Sequence, residues 1–167
     1  LVKVEIRFNF VGRFLFTDRY YAYVVITADC LSDPVQPSGK KIVFVRGGPE
    51  RRPVADNGSG SSGEAPPGGK YGQIIMTVGD YLPGTIDWAV GSPSVTVFED
   101  KEASEDDEVL LINDAFMIAS WIHAAGIEYS PTGKNSNSAA YQVVESLGFP
   151  RLSPPVSAPG WRRTLEF

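Results

Sequence analysis

Residues 2–10 read Val2-Lys3-Val4-Glu5-Ile6-Arg7-Phe8-Asn9-Phe10, with Val2, Val4, Ile6, Phe8 and Phe10 falling on one side and Lys3, Glu5, Arg7 and Asn9 on the other. Only a β-strand has a side-chain period of two, so the chain opens as a strand with one apolar side. Val11-Gly12-Arg13 predicts a turn, Gly12 supplying the positive φ that hairpins demand, and residues 14–16 the returning arm. Residues 20–27, rich in Tyr, Val and Ile, predict a more buried strand, and residues 41–46 its neighbour across a turn at 32–39. Two further short strands are expected at 73–78 and 95–99, separated by a turn-rich stretch containing Asp80, Pro83, Gly84 and Gly91.

Beyond residue 105 the period changes. Val109, Ile112, Phe116, Ala119 and Ile122 or His123 recur about once per helical turn, which predicts a helix over 106–125 ended by Gly126. The acidic run at 99–108 lies at its front, where carboxylates suit the positive end of the dipole, and it reads as a solvated helix start. A second helix is expected over 138–147, with Ser136 or Asn137 as N-cap and Gly148 following its end before Pro150. The tail at 151–167, with Pro154, Pro155 and Pro159, is expected to wrap as extended coil. The sum is an α+β domain, an antiparallel sheet of five to six strands packed against two helices.

The 167 residues suit one domain, 1–167, with a mobile Gly/Ser/Pro-rich loop at about 47–70. The hydrophobic share of 43% is that of a chain that folds unaided. A formal net charge of −5, with Lys and Arg only in small groups, argues against a nucleic-acid partner. No apolar run approaches the roughly 20 residues of a membrane helix, so no membrane span is expected. A single Cys30 excludes an internal disulfide and any cysteine-based zinc site. With one Cys and one His, and with the acidic run matching neither an EF-hand loop nor a zinc spacing, no metal and no cofactor is expected. The first residue is Leu1, not Met, which points to a segment of a larger polypeptide.

Chemistry concentrates in residues 129–138, YSPTGKNSNS, between the two helices. Asn135, Ser136, Asn137 and Ser138 reach a helix N-terminus together, where free N–H groups and the dipole favour an anion or a polarised carbonyl. Asn and Ser are also the ordinary capping residues, and Thr132-Gly133 is an ordinary turn.

The string at 125–148, AGIEYSPTGKNSNSAAYQVVESLG, followed by Ala158-Pro159-Gly160-Trp161, resembles C-terminal domains of bacterial secreted, polymorphic-toxin-type and Rhs-associated proteins. Arg46-Gly47-Gly48-Pro49, closing a strand, looks like the other recurring element of that group. Strands first and then a helix entered by a small polar motif is a layout similar to permuted NlpC-type papain-like domains, the branch that includes lecithin:retinol acyltransferase. The resemblance implies a bacterial protein that is secreted or delivered. Active members of that superfamily place a Cys at the helix N-terminus and a His on a strand; here Ser136, Asn137 and Ser138 replace the Cys, and residues 20–27 hold no His.

The only histidine, His123, falls near the end of the first helix, where the dipole suits it, and a Cys30–His123 couple is the one thiol–imidazole pair available. Asp80, Asp87 and Asp114 are acid, base or orienting groups if the fold brings one beside residues 135–138. Trp88, Trp121 and Trp161 either line a pocket or fill the core. Arg46 either grips a carboxylate or phosphate or forms a surface ion pair. The first expectation is a papain-like module without its thiol–imidazole machinery, acting in binding or assembly through Arg46, Tyr129, Asn135, Ser136, Asn137 and Ser138. The rivals are a hydrolase or acyltransferase with Ser136 or Ser138 as nucleophile, and a purely structural module of a larger assembly. The enzyme reading requires a proton acceptor within about 3.2 Å of one of those hydroxyls.

Overall fold

The computed structural model describes residues 1–14, 17–33, 36, 38–51, 69–85, 87–89, 91–150 and 152–167. Five strands, β1 (Val2–Phe14), β2 (Thr17–Ser32), β3 (Lys40–Pro49), β4 (Ile74–Asp80) and β5 (Ser94–Asp100), precede two helices, α1 (Glu105–Ala124) and α2 (Ser136–Ser146). The strands form one antiparallel sheet in the order β4-β3-β2-β1-β5. Both helices pack on one face of it, which is the α+β layout the sequence predicts.

Val4, Ile6 and Phe8 stand opposite Ile26, Val24 and Ala22 of β2. They meet Ile112, Ala115 and Ile122 of α1 and Ala140 and Val143 of α2 in one core. Each such side chain contributes about 1.5–3 kcal/mol by leaving water, and a one-residue slip would turn every one of them away from the helices. The register is therefore fixed by β1 itself. Trp161 and Leu165 of the tail are buried in the same core, so the tail is packed, not merely wrapped.

Several boundaries depart from expectation. Gly12 marks a bulge, not a turn: pairing shifts between Phe10 and Gly12 and then continues to Phe14, so the expected return arm is the last residues of β1, with 15 and 16 outside the described residues. That leaves five strands, within the expected five to six. β3 runs past Arg46, with Gly47, Gly48 and Pro49 paired to Met76, Ile75 and Ile74. These three residues belong to the sheet and not to the expected loop, of which 52–68 lie outside the described residues. Gly47 is needed where it is, because a Cβ there would lie 2.6 Å from that of Ala139, on the α2 face that sits against β3.

On α1 the buried stripe is Glu108, Ile112, Ala115, Ile118, Ala119 and Ile122, whereas Val109 is 40% exposed. The acidic run is thus not wholly solvated. The Glu108 carboxylate is buried and accepts the N–H groups of Asp29 (3.1 Å), Cys30 (3.0 Å) and Leu31 (3.3 Å), fastening α1 to the end of β2. Charge-assisted bonds of this kind offset the cost of burying the carboxylate.

The second sheet face is also covered. Glu5 and Asn9 are buried, and Tyr23, Val25, Phe44 and Tyr81 form a smaller core there with Tyr21, Ile42 and Trp88 packed against it. The connection between β4 and β5 supplies Tyr81, Asp87 and Trp88 to that layer.

Candidate functional site

The start of α2 is built by its own side chains. Asn135 is extended (φ −152°, ψ −163°), and its Oδ1 accepts the N–H groups of Asn137 (2.9 Å) and Ser138 (3.4 Å). The N–H of Asn135 in turn donates to Ser138 Oγ at 3.1 Å, closing a capping box. The cap is therefore Asn135, one or two residues before the expected Ser136 or Asn137, because Asn caps well and finds a reciprocal partner three residues on.

Three of the four polar side chains are engaged in holding the fold. Asn137 Oδ1 accepts the N–H of Ala22 at 2.6 Å, and its Nδ2 donates to the carbonyls of Tyr20 (3.1 Å) and Pro159 (2.9 Å). Asn135 Nδ2 donates to Pro131 and Pro159 carbonyls, both at 3.0 Å. Ser138 is fully buried, and its hydroxyl donates to the Gly160 carbonyl at 2.7 Å, with that of Gly133 at 3.3 Å. Gly160 (φ +80°) is required at this junction, since a Cβ there would collide with the Gly133 carbonyl. Ser136 differs: its only side-chain partner among the described residues is the Tyr129 hydroxyl at 3.5 Å, which is long for an O–H···O bond.

Ser136 faces a cavity of about 670 Å³, within the usual range for ligand sites. Arg46, Tyr129, Asn135, Ser136 and Asn137 all line it, whereas Ser138 does not. Aromatic walls come from Phe10, Tyr20, Tyr21 and Tyr129, and Arg19 adds a second cation. Among the described residues no Asp or Glu lines it, in a chain whose formal net charge is −5. A cavity of about 470 Å³ adjoins it, sharing Phe10, Tyr20 and Tyr21.

Arg46 is positioned from beneath. Its Nη1 donates to Asp87 Oδ1 at 3.2 Å, and the Tyr21 hydroxyl donates to the same oxygen at 3.0 Å. The Asp87 main-chain carbonyl accepts from Asn9 Nδ2 (3.1 Å), Tyr23 OH (2.8 Å) and Tyr81 OH (3.2 Å), so the loop bearing Asp87 is held at several points. Asp87 Oδ2 and Arg46 Nε are buried and have no partner among the described residues. Burial pushes the Tyr21 hydroxyl above its ordinary range, and burial with the neighbouring Tyr81 hydroxyl does the same to Tyr23. Neither phenol supplies a phenolate base at neutral pH.

Comparison with protein-family models, curated proteins and solved structures finds no match to this chain. The reading of the site rests on its own geometry.

The other candidates lie elsewhere. His123 Nδ1 accepts the N–H of Met76 at 3.2 Å, satisfying the outer edge of β4. Cys30 is exposed beside the Ala103 carbonyl, and its N–H bonds to Glu108 at the front of α1. Positions 108 and 123 are about 22 Å apart along the helix, so the thiol and imidazole do not form a couple. Asp80 pairs with Lys41 at the opposite end of β3 from the cavity. Asp114 does not line the cavity, and Asp87 reaches it only through Arg46. Trp161 packs on Phe8 and Tyr141, Trp88 on Tyr81, and Trp121 is exposed. Among the described residues no group of His, Cys, Asp and Glu is arranged to hold a metal.

Phe10, Val11, Arg19, Tyr20 and Tyr21 are lining residues that sequence reasoning did not single out. Tyr20 and Tyr21 point to opposite sheet faces and reach the cavity because β2 ends its helix-covered stretch there, held by Asn137. That tie crosses more than a hundred residues and leaves no local pattern.

Proposed function

We propose that the chain is a non-catalytic binding module, of papain-like descent and carried by a bacterial secreted or toxin-delivery protein, whose cavity holds an anionic ligand with an apolar or aromatic body. One observation carries this reading. The Arg46 cation, anchored by buried Asp87, and the uncharged start of α2 line a single cavity that has no carboxylate among its described lining residues. A carboxylate or phosphate there would meet a guanidinium and a helix dipole of the same sign, while the body of the ligand rests on Tyr20, Tyr21 and Tyr129. Arg46 Nε is a buried donor left open among the described residues, which a ligand anion or water completes.

A serine-hydrolase reading receives no comparable support. Ser136 has the place of a nucleophile, but among the described residues no imidazole or carboxylate bonds to its hydroxyl, and a serine without a base is a poor nucleophile. Ser138 donates to carbonyl oxygens and has no access to the cavity.

The test is a titration of the ¹⁵N-labelled chain with benzoate, phenyl phosphate and uncharged benzamide. At least one of the two anions is expected to shift amides at 46–48, 129 and 135–137, with benzamide about tenfold weaker or more. Arg46→Gln should remove the preference for the anion. Gly48→Leu should weaken all three, because a side chain at Gly48 meets open space and fills the cavity without disturbing a polar group. Equal binding of benzamide, or shifts confined to other regions, would overturn the proposal. So would labelling by a fluorophosphonate that disappears in Ser136→Ala, which would make the chain a hydrolase.

A further inference from the structure

Helix α1 carries a second apolar line that faces away from the sheet. Leu110, Met117 and Trp121 are 60%, 43% and 51% exposed. At 3.6 residues per turn their directions fall within about 40° of one another, roughly opposite the buried stripe. Asn113, Ser120 and Ala124, all exposed, continue the line at spacings of three and four. A narrow seam of this spacing fits a helix laid alongside it.

Charge selects the occupant. The remaining ionised groups of α1 are Glu105, Asp106, Asp107, Glu108 and Asp114, and the helix contains no Lys or Arg. Asp106, Asp107 and Asp114 fall within about 60° of the direction of Leu110, and so border the seam. None of the three has an ion-pair partner among the described residues. A second copy paired through this face would bring the same acidic residues together, and an anionic lipid surface would be repelled by them.

We propose that the outward face of α1 docks an amphipathic helix of a basic partner protein, its apolar ridge on Leu110, Met117 and Trp121 and its Lys or Arg side chains beside Asp106, Asp107 and Asp114. The distance from Leu110 to Trp121 is about 16 Å, so the partner needs roughly three turns. The apolar area is small, so affinity is micromolar and falls with salt.

The experiment uses the full ¹⁵N-labelled chain and an amidated helical peptide of about 18 residues, with Leu at i, i+3, i+4 and i+7 and Lys elsewhere. The control peptide has Glu in place of Lys. The Lys peptide is expected to shift amides on the outward positions of 106–124, and the Glu peptide to leave them unmoved. The double substitution Met117→Ser with Trp121→Ser, at exposed positions, should weaken binding about tenfold or more without loss of folding. Asp106→Asn with Asp114→Asn should weaken it about threefold at low salt and flatten its salt dependence. Equal binding of both peptides, shifts confined to other regions, or indifference to these substitutions would overturn the proposal. Sedimentation showing a dimer that Met117→Ser with Trp121→Ser dissolves would overturn it in favour of self-association. Binding of phosphatidylglycerol vesicles through the same residues would overturn it in favour of a lipid surface.

Discussion

The two helices begin with the same local device in opposite surroundings. At α1, the Ser104 hydroxyl accepts the N–H of Asp107 at 3.2 Å, and Asp107 Oδ2 accepts both the N–H (3.0 Å) and the hydroxyl (2.6 Å) of Ser104. That box is exposed, and its first turn carries Glu105, Asp106, Asp107 and Glu108. At α2, Asn135 and Ser138 form the equivalent box, but the first turn holds no acid and every residue of the box is buried. At α1 the positive end of the dipole is already answered by carboxylates; at α2 it is answered only by neutral groups and opens on a cavity with Arg46. The motif alone therefore says only that a helix begins. What packs around it decides whether that beginning is a boundary, a junction or a binding surface.

The largest expected effect comes from Asn137, which lies between the two residues of the buried box. Asn137→Ala leaves the Ala22 N–H without its acceptor and removes donors to the Tyr20 and Pro159 carbonyls. At about 1–3 kcal/mol for each buried group left unpaired, the variant should lose about 3–4 kcal/mol of stability in urea denaturation. It should also loosen the tail, since the Pro159 carbonyl then keeps only the Asn135 amide, and amide exchange at 158–163 would report this. A loss below about 1 kcal/mol would break the comparison, making the α2 box no more than a cap.

The contrast also shows which parts of the molecule were legible in the sequence. The alternation in β1 states its own register, because the apolar side from Val2 to Phe8 can face only a covered surface, while Phe10 beyond it is exposed. The NSNS string announces a helix start, and the cap is misplaced by one or two residues because Asn135, Ser136, Asn137 and Ser138 are all good caps. The missing information is non-local. Nothing near Glu108 shows that it is buried under three N–H groups of β2, while Glu105, Asp106 and Asp107 beside it are exposed. Nothing near Arg46 indicates Asp87, which reaches it across the sheet face that helices leave uncovered. Arg46, Tyr129 and residues 135–137 line one cavity, but its aromatic wall depends on the bulge at Gly12 and on how β2 meets the tail. Ser138 shows the limit most directly: its residue type suits a nucleophile, and its burial makes it a bolt.

A smaller effect is expected at the exposed box. Ser104→Ala removes the acceptor for the Asp107 N–H and the donor to its carboxylate, but water reaches both groups. The loss should be about 1 kcal/mol, as for ordinary caps, and confined to α1. Measured beside Asn137→Ala in the same denaturant series, it should leave the cooperativity of unfolding unchanged. A loss equal to that of Asn137→Ala would remove the distinction between the two starts.

The smallest effect separates the boxes by charge, not by size. Hydrogen bonds from the Ser104 hydroxyl and backbone hold the Asp107 carboxyl below its ordinary value of 3.8. A carboxylate whose folded pKa is depressed stabilises the fold fully above its unfolded pKa, and that contribution is lost as pH falls through the folded value. Wild type should therefore exceed Asp107→Asn by a constant margin above about pH 5, and the margin should shrink as pH falls below about 4. The α2 box, built from an amide and a hydroxyl, has no proton to gain, so Ser138→Ala should differ from wild type by the same amount across that range. Urea midpoints between about pH 2 and pH 6 for the three proteins decide the matter. If the Asp107→Asn margin stays flat to about pH 2, the α1 box acts through shape and not charge, and the negative first turn ceases to explain why the proposed anion site lies at the start of α2 and not of α1.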